Sequence, residues 1–307
     1  MTVGRSRRRT GIADALLVWA IFAFVALEIL VTYTRTPVHE LYQVRFGGIA
    51  AGAGRTLAFV GFPLGLAALA VLPIAIDRAH RRHVLLAGLA AAVLAIAILW
   101  PGALDEAGLD ATPARALAAA GVALSFGLTL AAWHATGAGT LGRERGDGAR
   151  LLAGFLLAVI ALPWMAADLG LSLDRVPGLN SIYLTDRLAS QPSRPGLYPA
   201  VHDGHHHGMD GVLLAWTALL LTRALPHLRH RANRLALAIS SGFLLVYGVA
   251  NAVQDAWTEQ IVKRQWTPYE LPNVLIPTAH VAWLVIVLCT AAAAFVFVHS
   301  SHAGARP

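Results

Sequence analysis

The sequence predicts an all-α, polytopic bundle of about eight membrane-spanning helices. Three observations lead there. Apolar residues make up 57% of the 307 and charged residues only 13%, against about 25% charged in ordinary soluble domains. Apolar runs of roughly twenty residues, the length that crosses about 30 Å of hydrocarbon, recur along the whole chain. The mean hydropathy is +0.60. In lipid every backbone amide must pair within its own segment, so these runs are helices rather than open sheet. The same composition excludes a soluble enzyme, a disordered chain and a secreted disulfide scaffold. The single cysteine, Cys289, cannot form an internal disulfide.

The spans fall near 12–33, 55–76, 84–100, 114–133, 151–171, 209–225, 235–255 and 273–298, within one transmembrane domain covering 1–307. The first follows an arginine-rich terminus and is not followed by a small-residue cleavage site, so it reads as a retained helix. The second opens in Gly47–Thr56, GGIAAGAGRT. That stretch lacks the lysine and the preceding strand of a phosphate loop. Gly48 and Gly52 there point instead to a close helix approach. The third span is the shortest. The fifth ends at Asp168, with the long loop 171–208 after it. Within that loop 179–189 reads as a short interfacial helix. The sixth follows a histidine run. The seventh carries Tyr247, Asn251, Asp255 and Glu259 at four-residue intervals, a polar stripe at one end. The eighth begins near Pro272 and Pro277, which places His280 about two turns inside it.

Arginine placement sets the orientation. The clusters around Arg8, Arg81, Arg145 and Arg231, with Arg306, hold 15 of the 24 basic residues, all on the side of the N-terminus. Only Asp14, Asp77, Glu144 and Asp147 of the 17 acidic residues share that side. Both biases agree with an even number of crossings and with both termini in the cytoplasm. The expected location is the cell membrane, with the histidine run on the extracytoplasmic side. The high pI near 10.3 then reflects membrane orientation rather than nucleic-acid binding.

Thirteen histidines are many for this length. The densest cluster is Val201–Gly211, VHDGHHHGMDG. Imidazole with carboxylate suits a divalent transition metal, zinc or iron first. If the sixth helix begins early, His202, His206 and Asp210 share one face, with His207 beside them and His280 approaching from the eighth span. Gly204, Gly208 and Gly211 weaken such a helix and also allow a loop closed around an ion. Glu28 and Asp255, carboxylates in the outer halves of apolar spans, are costly there and need partners. They are the candidate catalytic bases. His39 and Glu40 follow the first span at the same depth. Polar groups from helices one, five, six, seven and eight therefore gather at the outer end, which predicts a polar cavity.

Three functions fit this pattern. One is a metal-dependent enzyme acting on a lipidic or membrane-associated substrate. Another is a metal-ion or proton transporter, although spans two to four offer almost no ionisable groups at mid-depth. The last is a non-catalytic membrane subunit with a histidine-rich sensing loop. Neither HExxH nor GxSxG occurs, so motif alone does not choose among them. The oligomeric state is not legible.

Overall fold

The computed structural model describes residues 11–37, 44–79, 82–97, 108–137, 139 and 141–303. His39 and Glu40 lie outside them. The fold is mostly helical, 72%, and among the described residues seven helices are long and apolar enough to cross a membrane. In chain order the helices are α1 (Ile12–Arg35), α2 (Ile49–Gly61), α3 (Pro63–Ala79), α4 (Arg82–Ile96), α5 (Pro113–Thr136), α6 (Asp147–Asp168) and the single-turn α7 (Leu179–Ile182). After strands β1 (Leu188–Gln191) and β2 (Arg194–Pro199) come α8 (His207–Leu221), α9 (Arg231–Trp257) and α10 (Val281–Ala303). Helices α2 and α3 form one 30-residue crossing, Ile49–Arg78, broken where Pro63 offers no N–H to the ladder.

The third span corresponds to α4, whose 15 described residues rise about 22 Å; its expected last residues, 98–100, lie outside the described ones. Two expectations change. The loop 171–208 holds an antiparallel hairpin, β1 with β2, Ala189 opposite Tyr198. The expected interfacial helix shrinks to the four residues of α7, because Asp174 accepts from the backbone N–H groups of Thr185 and Arg187 and draws that segment extended. The eighth helix starts at Val281 rather than near 273. Pro272 and Pro277 lack amide donors, and the segment they occupy is irregular, with bends and no helix.

Large apolar side chains face outward around the bundle. Phe24, Leu89, Leu151, Phe155 and Leu288 are all at least 60% exposed, as lipid-facing residues should be, since an apolar surface of this extent is foreign to a soluble monomer. Helices α3 and α8 are central. Small residues let backbones touch. A Cβ on Gly211 would lie 2.5 Å from the Gly248 carbonyl, and one on Gly248 would meet the Gly211 carbonyl, so α8 and α9 pack backbone to backbone. The approach expected at Gly48 and Gly52 occurs at Gly52, against Leu30 and Thr34 of α1. Gly48 has open space, and Gly54, packed on the Leu109 carbonyl, takes its place.

The chain alternates between two ends of this bundle, and the two ends differ in chemistry. At one end each carboxylate expected on the N-terminal side is tied to a basic partner. Asp14 binds Arg223 Nε at 2.7 Å, Asp147 binds Arg223 Nη1 at 2.7 Å and Arg150 at 3.0 Å, and Glu144 binds His227 at 2.8 Å. Asp77 accepts from the amides of Arg229 and His230 and from the Asn233 side chain. These contacts tie α1, α3 and α6 to the segment between α8 and α9 and to the first turn of α9. Removing one partner of a buried pair leaves the other charge uncompensated. Arg223→Ala, which strands both Asp14 and Asp147, is therefore expected to cost about 3 kcal/mol. Thermal unfolding of purified protein in detergent would register this as a lowered midpoint; an unchanged midpoint would contradict the network's role.

Candidate metal centre

At the opposite end, helices α2, α3, α5, α8 and α9 and the β1–β2 hairpin converge on a cavity of about 450 Å³. Helix α8 starts at His207, so His202–His206 is a loop and the expected helical face of His202, His206 and Asp210 does not form. The reason is Gly204. Its φ of +107° breaks a right-handed helix, and a Cβ there would meet the Tyr33 hydroxyl at 2.7 Å. That hydroxyl instead accepts the His205 amide at 3.0 Å. The loop is pinned further where Lys263 donates to the Ala200 carbonyl at 2.6 Å. Burial pushes the Lys263 ammonium below its ordinary range.

His206 stands at the mouth of α8. Its Nε2 lies 2.9 Å from the His202 carbonyl, and a carbonyl only accepts, so Nε2 carries the proton. Nδ1 then faces Glu259 at 3.1 Å and Asp255 at 3.9 Å. Burial pushes His206 towards its neutral form. A neutral imidazole with its lone pair aimed at two carboxylates is repulsive unless a proton or a metal cation stands between them. His206, Asp255 and Glu259 are all buried, with ligand atoms within 4.8 Å of one another. One imidazole and two carboxylates balance a divalent ion.

The supports of these groups come from separate helices. Asp255 also accepts the Gly208 amide at 2.9 Å, so a carboxylate of α9 caps the positive N-terminus of α8. Glu259 accepts from the Trp164 indole of α6. It sits where α9 loosens into a single π-helical turn, Thr258–Val262, a distortion common at functional sites. His202 stacks on His206 with ring centroids 4.1 Å apart; burial first, and then the neighbouring His206, push its pKa down to about 4. His207 reaches Gln254 at 3.1 Å and Asp255 at 3.5 Å.

A second cluster lies beside the first. His205 Nε2 meets Asp210 at 2.6 Å and Nδ1 meets Asp168 at 3.2 Å. With a carboxylate at each nitrogen the ring is an imidazolium. Burial, the largest influence, acts against the charge, but Asp210 and Asp168 overcome it and raise the pKa to about 10. Glu28 completes this group with Asp168 and His205 and accepts from Thr32. The folded state holds the His205 proton more tightly than the unfolded chain. Its stabilisation is therefore complete below pH 6.5 and is lost as pH rises towards 10. The midpoint difference between wild type and His205→Gln should shrink across that interval. A difference constant from pH 6 to pH 10 would refute the imidazolium.

The structure thus brings His206 and Asp255 together and sets His202 and His207 against them. It turns Asp210 to His205 instead, and places Glu28 behind His205 rather than on the cavity wall. His280 is exposed just ahead of α10, accepting the Ala282 amide at 3.1 Å; it misses the cavity because α10 starts late. Asp168, His205 and Glu259 were not among the expected ligands. Glu259 could have been found as the next step of the Asp255 stripe. The choice of His205 over its neighbours had no sequence signal. No protein-family model, curated protein or solved structure matches this chain, so its chemistry rests on the geometry alone.

Proposed function

We propose that this protein is a multi-pass membrane enzyme that uses a divalent transition metal, zinc or iron, to hydrolyse a lipidic or membrane-associated substrate. The observation that carries the reading is the His206 Nδ1 lone pair facing Asp255 and Glu259 in a buried, charge-balanced set. His206, Asp255 and Glu259 hold the ion. His202 fixes the His206 tautomer through its carbonyl, as outer partners of metal-bound histidines do. The ion supplies Lewis acidity and a water of lowered pKa.

Asp255 Oδ1 and His207 Nε2 form a carboxylate–imidazole pair 3.5 Å apart, suited to accept a proton from an attacking water. The oxygen of water adds to the carbonyl carbon or phosphorus of the substrate, the ester bond breaks, and the proton leaves with the alcohol. Glu28 and Asp168 act from behind by holding the charge of His205. A cavity at one end of the bundle, among apolar helix ends, gives a headgroup access while its chains stay in the bilayer. The arginine-rich opposite end supports an extracytoplasmic position for the cavity in the cell membrane.

The test is elemental analysis of protein purified without a histidine tag, beside lipid turnover in nanodiscs. About one metal per chain, with turnover abolished by chelation and restored by that metal, is the expected outcome. Far less than one metal after incubation with zinc, iron and manganese would end the reading. Metal flux into vesicles without lipid turnover would replace it with transport.

A further inference from the structure

Arginines from three separate elements face the same cavity as the histidines and carboxylates: Arg55 of α2, Arg115 of α5 and Arg194 of β2. Two of them stand in the first turns of apolar spans, Ile49–Arg78 and Pro113–Thr136, at the end of the bundle where the cavity opens. Each is held in place. Arg55 donates to the His205 carbonyl at 3.2 Å and lies 5.5 Å over the Tyr33 ring. Arg115, 3% exposed, donates to the carbonyls of Gly108 at 3.2 Å and Asp110 at 2.8 Å. Arg194 stacks 4.2 Å over Tyr198 on the hairpin.

Four carboxylates line the cavity as well: Asp210, Asp255, Glu259 and Glu270. Their contacts keep them from consuming this positive charge. Asp255 and Glu259 face His206. Asp210 is paired with His205. Glu270 accepts from the amide and hydroxyl of Ser193, which ties the hairpin to the segment before α10. With a divalent ion on Asp255 and Glu259, the guanidinium groups outnumber the two carboxylates left. The guanidinium fork matches phosphate oxygens, and Arg is favoured over Lys wherever that planar match counts.

The geometry points to a phosphate-bearing substrate, held with its phosphate against Arg55, Arg115 and Arg194 and its ester against the His206–Asp255–Glu259 centre. This rests on the metal-enzyme reading for the reaction and for the charge balance, while the guanidinium groups themselves are held in place by protein contacts and not by the ion.

The test titrates metal-loaded protein in nanodiscs with dioctanoyl phosphatidate, inorganic phosphate and the neutral dioctanoylglycerol. Phosphatidate should bind at least ten-fold tighter than dioctanoylglycerol, and only its binding should weaken as salt is raised, since salt screens exposed charge. Arg55→Gln with Arg194→Gln should lower phosphatidate affinity at least ten-fold while the metal content stays at one per chain. Arg194→Gln alone, on an exposed hairpin and harmless to folding, should lower it several-fold. Competition by inorganic phosphate would identify a site for the free anion as well as the lipid headgroup; competition by phosphatidate alone would identify the headgroup only. Equal binding of the neutral lipid, or full affinity in both arginine variants, overturns the inference. Protein that takes up no metal yet still prefers phosphatidate removes the enzyme reading and keeps the anion site. Metal-loaded protein that does not discriminate has the opposite effect.

Discussion

Replacing Glu259 by glutamine is expected to lower divalent-metal affinity more than about 100-fold, beyond the 10–100-fold typical when only an outer partner is lost. Glutamine keeps the size and one acceptor oxygen, so the Trp164 indole keeps a partner. What disappears is one of the two negative charges that balance the ion. His206→Ala should act as strongly, because it removes the imidazole and leaves Asp255 and Glu259 facing each other. Asp210→Asn should spare metal affinity, since that carboxylate is turned to His205. Titrations of the three variants with zinc, read as bound metal after gel filtration, separate these outcomes. Unchanged binding in Glu259→Gln would remove Glu259 from the centre. A loss in Asp210→Asn equal to that in His206→Ala would show that the two clusters are one site.

Gly211→Leu is expected to do the most damage of any single change away from the charged groups. The Gly211–Gly248 contact leaves no room for even a methyl group, and its neighbours are backbone atoms that cannot rotate away. Overpacking of this kind costs about 1–3 kcal/mol for one or two methylenes and more where the backbone must move. The consequence reaches the metal. Helix α8 begins beside His206 and α9 carries Asp255 and Glu259, so separating the helices separates the ligands. Gly211→Leu should therefore lose both folded yield and bound metal, and Gly211→Ala should lower the unfolding midpoint. Gly127→Ala is the control. It meets nothing within 4 Å and should stabilise α5 by about 0.5–1 kcal/mol, the helical advantage of alanine over glycine. Equal midpoints for Gly211→Ala and Gly127→Ala would show that the close crossing is not what holds α8 to α9.

The sequence was legible wherever one property repeats. Helices long enough for a bilayer follow from apolar runs, because an unpaired amide is intolerable in hydrocarbon and only the helix pairs its own. The gathering of polar residues at one end was also legible, because each span has a direction and its polar groups have a depth. The start of α10 was not. His280 looks helical by composition, yet two prolines in an irregular, bent approach delay the helix until Val281. The hairpin of 188–199 was equally hidden, since its strands are short and lack clear alternation.

By itself the sequence determined the membrane-type helical composition, the chemical difference between the bundle's two ends, and the residue types available for a metal: imidazole and carboxylate, without thiolate. Only the tertiary structure decided which of them meet. Four histidines crowd into 202–207, but a ring's direction is set by what surrounds it. The Tyr33 hydroxyl, the left-handed turn at Gly204 and the backbone contact of α8 with α9 aim His205 at Asp168 and Asp210 and aim His206 at Asp255 and Glu259. Periodicity carries a residue's face and depth; it carries nothing about the distance to a side chain on another helix.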